Sequence, residues 1–288
     1  MANIKDLKKK IRSTQSTSKI TTAMKLVSAA KLNRAQQAIS GARPYADELD
    51  QTIKTISALV RDYNHPFFSK NNNPKSLILV ISSDKGLCGG YNIQLSKKVD
   101  SFVSGKEGDY KVYFVGKKAK ELMKSNVSKG KMFSFEKAEP SFSEYRDIVD
   151  ELTHLFKTGE FGKIYVAFNS FNSAISFTPT VHQVLPMELD STEKAKLNDE
   201  FPFDFKYEPE PSVILDTLVP QALVSTVWTA QLDALASEHG SRMASMDNAS
   251  KNCKELIRTL TLKMNKLRQA GITTELIEVV SGAESLNN

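Results

Sequence analysis

Cysteine is scarce in this 288-residue chain. Cys88 and Cys253 lie far apart in different kinds of segment, so they offer neither a disulfide framework nor a metal-type spacing, which fits a reducing compartment. Histidine is equally sparse. His65, His154, His182 and His239 are scattered, and none has a zinc-like neighbour. No G-x-S-x-G elbow occurs, and paired carboxylates such as Asp47 and Glu48 fall on a solvated helix face. No run approaches the ~20 consecutive apolar residues that span a bilayer; the longest, Leu77 to Ile81, is strand-sized. The N-terminus lacks an apolar signal core. It is basic and Ser/Thr-rich like a transit peptide, but the pattern runs on without a cleavage break, so no removable leader is expected. Together these absences argue against a secreted disulfide scaffold, an integral membrane protein, a metalloenzyme and a serine hydrolase. They leave no expected catalytic residue, metal or cofactor.

The chain is 40% hydrophobic and 25% charged, ordinary values for one or two packed cores. Its net charge of +6 is unevenly spread. Residues 1–43 carry ten Lys or Arg against Asp6 alone, and residues 241–270 carry seven against Asp247 and Glu255. The remainder is net acidic. Basic ends suit nucleic acid, an acidic protein surface, or simple solvation.

Proline and glycine are almost absent from both ends. Between residues 3 and 60 there are only Gly41 and Pro44, in a stretch rich in Ala, Lys, Leu and Gln. A helix from about 3 to 58 would be ~85 Å long. Gly41–Pro44 is the place for a bend. Its apolar stripe is thin: Ile4, Leu7, Ile11, then Thr14, Ser18, Thr21 and Lys25. Small residues such as Ala23, Ser28 and Ala29 let another backbone approach but bury little area, so this helix needs a partner. The C-terminal stretch supplies one. Steps of three and four give Leu215, Leu218, Ala222, Ser225, Thr229, Leu232, Ala236, His239, Met243, Met246, Ser250, Cys253, Ile257, Leu260, Met264 and Leu267, a coiled-coil seam. A helix from about 212 to 281 would be ~105 Å long, against a radius of gyration of about 19 Å for a compact globule of this length. An elongated molecule is expected.

The middle alternates strand and helix. Ser76–Ser83, Tyr110–Val115, Lys163–Phe171 and Ala174–Leu185 read as strands, the last two joined by Asn172–Ser173. Tyr91–Val103, Lys117–Lys124 and Phe142–Lys157 read as helices. Residues 186–211 are a Pro- and acid-rich connection. The expected fold is therefore α/β: a long antiparallel two-helix coiled coil from the N- and C-terminal segments, plus a central Rossmann-like α/β domain with a mixed sheet. The expected division is 1–60, 75–190 and 210–288, with the first and last segments paired. The loop Ser83-Asp84-Lys85-Gly86-Leu87-Cys88-Gly89-Gly90 sits where a nucleotide loop would. Its glycine spacing is wrong for G-x-G-x-x-G and no Gly-Lys-Ser/Thr follows, which favours a structural turn.

Three segments resemble one family, the gamma subunit of F-type ATP synthases in its bacterial form. Ala23–Gln36 is similar to that family's N-terminal helix, Ser82–Asn92 to its loop after the first strand, and Ile272–Ala283 to its terminal I-T-x-E-x-x-E-x-x-x-G-A signature. The resemblance covers essentially the whole chain; Asn33 departs where a basic residue is common. It implies a rotor shaft inside a ring of alpha and beta subunits, with the α/β domain as a foot on the epsilon subunit and the c-ring. ATP chemistry would belong to the ring. The membrane would be met only through the c-ring, at the cytoplasmic face of a bacterial cell membrane. By resemblance, Met24, Lys25, Arg242, Arg258 and Gln269 are candidate rotor–stator contacts, and Thr273, Glu275 and Glu278 lie in the signature near the top of the ring. Met24 reads equally well as packing. Asp84, Lys85, Gly86, Cys88, Gly89 and Gly90 form the foot-domain loop. The chloroplast-type cysteine insertion is missing, so thiol regulation of that kind is not expected. Two rivals stand beside this reading: a nucleic-acid-binding coiled coil, which leaves the α/β domain unexplained, and a nucleotide-binding enzyme built on Gly86–Gly90.

Overall fold

Ser76–Ile81 is buried along its whole length, and this is the strand (β1) around which the sheet forms. A run of Leu, Ile and Val with no polar alternation is what a parallel strand covered on both faces requires. The computed structural model describes residues 4–60, 65–69, 71, 73–105, 108–125, 127–135, 140–187 and 205–286, with side chains as far as 283. Its elements in chain order are α1 (Ile4–Leu59), β1, α2 (Tyr91–Ser104), β2 (Tyr110–Val115), α3 (Lys117–Leu122), β3 (Ser128–Phe133), α4 (Phe142–Lys157), β4 (Lys163–Ser173), β5 (Ser176–Leu185) and α5 (Pro211–Leu286). A short 3-10 turn, Pro66–Phe68, precedes β1. The chain divides into two compact units, Ala29–Ser241 and the two chain ends up to Ser28 and from Arg242. Both long helices belong to each unit in part.

In the unit Ala29–Ser241 the strand order is β3-β2-β1-β4-β5. The first four strands are parallel and β5 returns antiparallel on β4. Successive residues of β1 face opposite sides. Leu77, Leu79 and Ile81 pack with Tyr145, Ile148 and Leu152 of α4, with Ile53 and Ile56 of α1, and with Leu215 and Val219 of α5. Ile78 and Val80 pack with Leu95 and Val99 of α2 and with Ala119 and Met123 around α3. Each fully buried Ile or Leu contributes roughly 1.5–3 kcal/mol relative to exposure. A capping box at Ser141 starts α4: Ser141 N–H donates to Glu144 Oε2 and Ser141 Oγ accepts from Glu144 N–H. By composition part of α5 is apolar enough to cross a bilayer, but its Leu215, Val219, Leu223 and Val227 are buried in this core.

In the other unit the two helices pair antiparallel. Leu7, Ile11 and Leu260 form one buried cluster with Ile257, Met264 and Leu267 against it. Thr22 and Ser250 hydroxyls lie 3.0 Å apart and Lys25 reaches Asp247 at 2.6 Å. None of the expected seam positions from Leu215 to Leu267 is exposed. Helix α1 runs unbroken through Gly41 and Pro44.

Three details differ from expectation. The hairpin turn falls at Ala174–Ile175, since Asn172 and Ser173 continue β4. The 3-10 turn had no periodic signal. Strand β3 was missed altogether, because Ser-Lys-Gly-Lys-Met-Phe has low strand propensity and no alternation. It is an edge strand with half of its residues exposed, and its lysines blunt that edge. Gly130 is there for a close approach: a Cβ would lie 2.5 Å from the Tyr113 ring. The expected connection 186–211 lies largely outside the described residues.

Gly130→Val, which raises strand propensity, is therefore expected to destabilise the protein by about 1–3 kcal/mol through overpacking. Thermal unfolding followed by circular dichroism checks this; an unchanged or raised Tm would contradict it.

Candidate functional site

The carboxyl edge of β1 is a topological switch point. The chain leaves β1 toward β2 on one side, while β4 lies on the other. Open α/β sheets hold ligands in the crevice at such a point. Here the Ser83–Gly90 loop rims it. Ser83 Oγ donates to the Lys85 carbonyl at 2.7 Å, and Asn92 Nδ2 donates to Ser83 Oγ at 2.8 Å. Ser83 N–H donates to Asn92 Oδ1, and Cys88 Sγ accepts from Asn92 Nδ2. Leu87 and Gly89 have φ of 64° and 57°, which reverses the loop before α2 begins. Asp84, Lys85, Gly86, Leu87 and Gly89 are exposed, Gly90 is half-buried and Cys88 is buried.

The crevice behind this loop is filled by the chain's own helix. Ser241 Oγ of α5 donates to the Cys88 carbonyl at 2.6 Å. Ser237 Oγ donates to the Asn169 carbonyl on β4 at 3.0 Å. Tyr91 Oη, at the start of α2, donates to the Ala234 carbonyl at 3.0 Å. Burial, with Glu238 nearby, pushes the Tyr91 hydroxyl well above its usual range, so it remains a donor. The loop and the start of α2 thus form a socket for α5, which they meet at Ser241 and Ala234.

Asp233 is the charged centre of this region. Its side chain is 8% exposed. Arg43 of α1 donates to it at 2.9 Å and Ser170 of β4 at 3.3 Å. A buried carboxylate is tolerable only when paired in this way. Asp233, Arg43, Ser237 and Ser241 sit in no recognisable motif. One signal was present: Asp233 is the only charged residue between Thr217 and Ser237.

The paired chain ends hold the other candidates. Met24 is half-buried, so packing accounts for part of it. Lys25 is bridged to Asp247, which Lys251 also reaches at 2.8 Å. Hydrogen bonds from Lys25 and then Lys251 lower the Asp247 carboxyl to about 2. Arg242 is buried. Arg258, Gln269, Thr273, Glu275 and Glu278 are exposed, and Thr273 Oγ1 bonds only back to the Gln269 carbonyl within the helix. From Arg268 to Ala283 every side chain is exposed. The structure thus gathers these residues onto the two long helices. Among the described residues no group of His, Cys, Asp and Glu could hold a metal.

A family model described as ATP synthase matches residues 3–286. The ATP synthase gamma chain of Trichlorobacter lovleyi is 37% identical, with 99% of each chain covered. That of Geobacter metallireducens is 38% identical over the same share. The chain belongs to the ATP synthase gamma chain family. A chain of the Euglena gracilis mitochondrial ATP synthase, in its OSCP/F1/c-ring assembly in rotational state 3, superposes with a TM-score of 0.69. It covers 98% of this chain and 94% of its own at 19% identity, a likeness of fold. The family's long helices and mixed sheet are those described above.

Two outcomes are expected. Calorimetry with ATP or NAD should show no micromolar binding to the chain, because α5 fills the crevice; a clear isotherm would contradict the socket. Asp247→Asn should lower the Tm at neutral pH. The folded carboxyl is depressed, so its stabilising share is complete above the unfolded value near 4 and is lost as pH falls through about 2. The Tm gap between wild type and variant should accordingly close over that interval. A gap independent of pH would contradict the ion-pair account.

Proposed function

We propose that this chain is the central-stalk rotor shaft of an F1Fo ATP synthase. In this role it couples proton-driven rotation of the c-ring to conformational change at catalytic sites on the beta subunits. It carries no active site of its own. The alpha and beta subunits form the surrounding ring; the epsilon subunit and the c-ring meet the α/β domain, which is the foot. The chain is peripheral, at the cytoplasmic face of a bacterial membrane, and touches lipid only through the c-ring.

The observation that carries this reading is the bare end of α5. Ile272, Leu276, Ile277, Val279 and Val280 are 50–69% exposed. A contiguous apolar surface of this kind marks an interaction site, and family membership supplies the ring as its partner. Polar and small residues interrupt it at Thr273, Thr274, Ser281 and Gly282. A turning shaft needs contacts that do not hold one angle too tightly, and affinity follows the quality of local contacts more than area. The basic residues along the helix pair suit an acidic surface on the ring, with attraction screened beyond about 8 Å at physiological salt.

The test is whether the chain co-purifies with an ATP-hydrolysing alpha–beta hexamer and restores its coupling to proton transport. Failure to associate would overturn the proposal. Bulky apolar replacements, Thr273→Trp or Ser281→Leu, are expected to slow turnover several-fold, on the order of 1 kcal/mol in the rotational barrier, without blocking assembly. Unchanged steady-state ATPase rates would count against the bearing.

A further inference from the structure

Over one stretch, Gln231–Ser241, α5 is held by directional contacts in addition to apolar ones. Tyr145 Oη of α4 donates to Gln231 Oε1 at 2.6 Å. Asp233 joins Arg43 and Ser170. Ala234, Ser237 and Ser241 bond to Tyr91, Asn169 and Cys88. At 100° per residue these positions spread over roughly half of the helix circumference. The backbone also comes close: a Cβ on Gly240 would lie 2.6 Å from the Ala174 carbonyl oxygen.

Apolar burial and hydrogen bonding resist rotation differently. Apolar contacts are non-directional and tolerate small turns of the helix about its axis, while larger turns strip burial from its packed face. A hydrogen bond weakens steeply once its geometry is lost. Two of these partners are backbone carbonyls, on β4 and in the loop after β1, and neither can follow a turning helix by changing rotamer. Asp233 ties α1 and β4 to α5 at the same level, so neither can slip past it separately.

Resting on the rotor reading, we propose that the Gln231–Ser241 seat is the torque key of the shaft. It fixes the azimuth of α5 in the α/β domain, so that rotation entering through that domain reaches the helix pair. Asp233, Ser237 and Ser241 are its positioning residues and touch no substrate. Hydrolysis by the detached alpha–beta–gamma assembly turns the helix pair with no load on the α/β domain. Proton-driven synthesis loads the seat fully. Loosening the seat therefore separates the two.

The experiment uses the complete complex in vesicles lacking their own gamma chain, reconstituted with this chain or its variants. Wild type must support proton-driven synthesis; if it does not, the rotor reading fails whatever the variants do. Ser237→Ala combined with Ser241→Ala, and separately Gly240→Ala, are expected to keep hydrolysis by the detached assembly within about twofold while synthesis falls about fivefold or more, the scale of one or two lost hydrogen bonds. ATP-driven proton pumping per ATP should fall with it. Ser241→Thr keeps the hydroxyl and should retain synthesis within about twofold. Where the double variant does not assemble, Ser241→Ala at a half-buried position carries the same ratio test. A synthesis-to-hydrolysis ratio unchanged from wild type would overturn the proposal, as would a parallel fall in both, which simple destabilisation produces.

Discussion

Helix α5 keeps one secondary structure while it passes through three different surroundings. Up to Ser241 it is a core element, with Leu215, Val219, Ala222 and Ala236 almost wholly buried. From Arg242 to Leu267 it is half of a pair, sharing apolar contacts with Leu7 and Ile11. From Arg268 onward it is exposed. Helices in proteins draw most of their stability from packing, so the first two stretches support the third. Every functional assignment made above depends on this one helix, because it is gripped at one end and bare at the other.

The physical character of the contacts changes along the same line. In the α/β unit they are large and apolar, with hydrogen bonds to β4 and to the loop after β1. In the helix pair they are small and polar between short apolar clusters: Thr22 with Ser250, Lys25 with Asp247. Surface ion pairs of this type contribute little to stability and more to register. A pair held this way remains slender, which suits a shaft better than a thick core would.

Much of this was legible in the sequence for physical reasons. Long proline-poor segments with a regular seam gave the two helices, and the unbroken Leu77–Ile81 run gave the central strand. Strand β3 was not legible, because an exposed edge strand needs no hydrophobic pattern and Gly130 is dictated by the Tyr113 ring on the neighbouring strand β2, far away in sequence. The seat was not legible either. Ser237, Gly240 and Ser241 lie off the heptad seam and look like ordinary small helix residues until β4 and the loop after β1 are seen beside them. Asp233 alone stood out as a charge in an apolar stretch. The glycine-rich loop occupies the place of a nucleotide loop, and Ser241 of α5 bonds to its Cys88 carbonyl.

The measurement that tests the account most directly is single-molecule rotation. A probe fixed at the exposed hairpin tip, Ile175, would be followed while an immobilised alpha–beta hexamer containing this chain turns over ATP. The account predicts that the probe revolves in one direction in step with turnover. A probe that stays fixed, or wanders without direction, during undiminished ATP hydrolysis would contradict it.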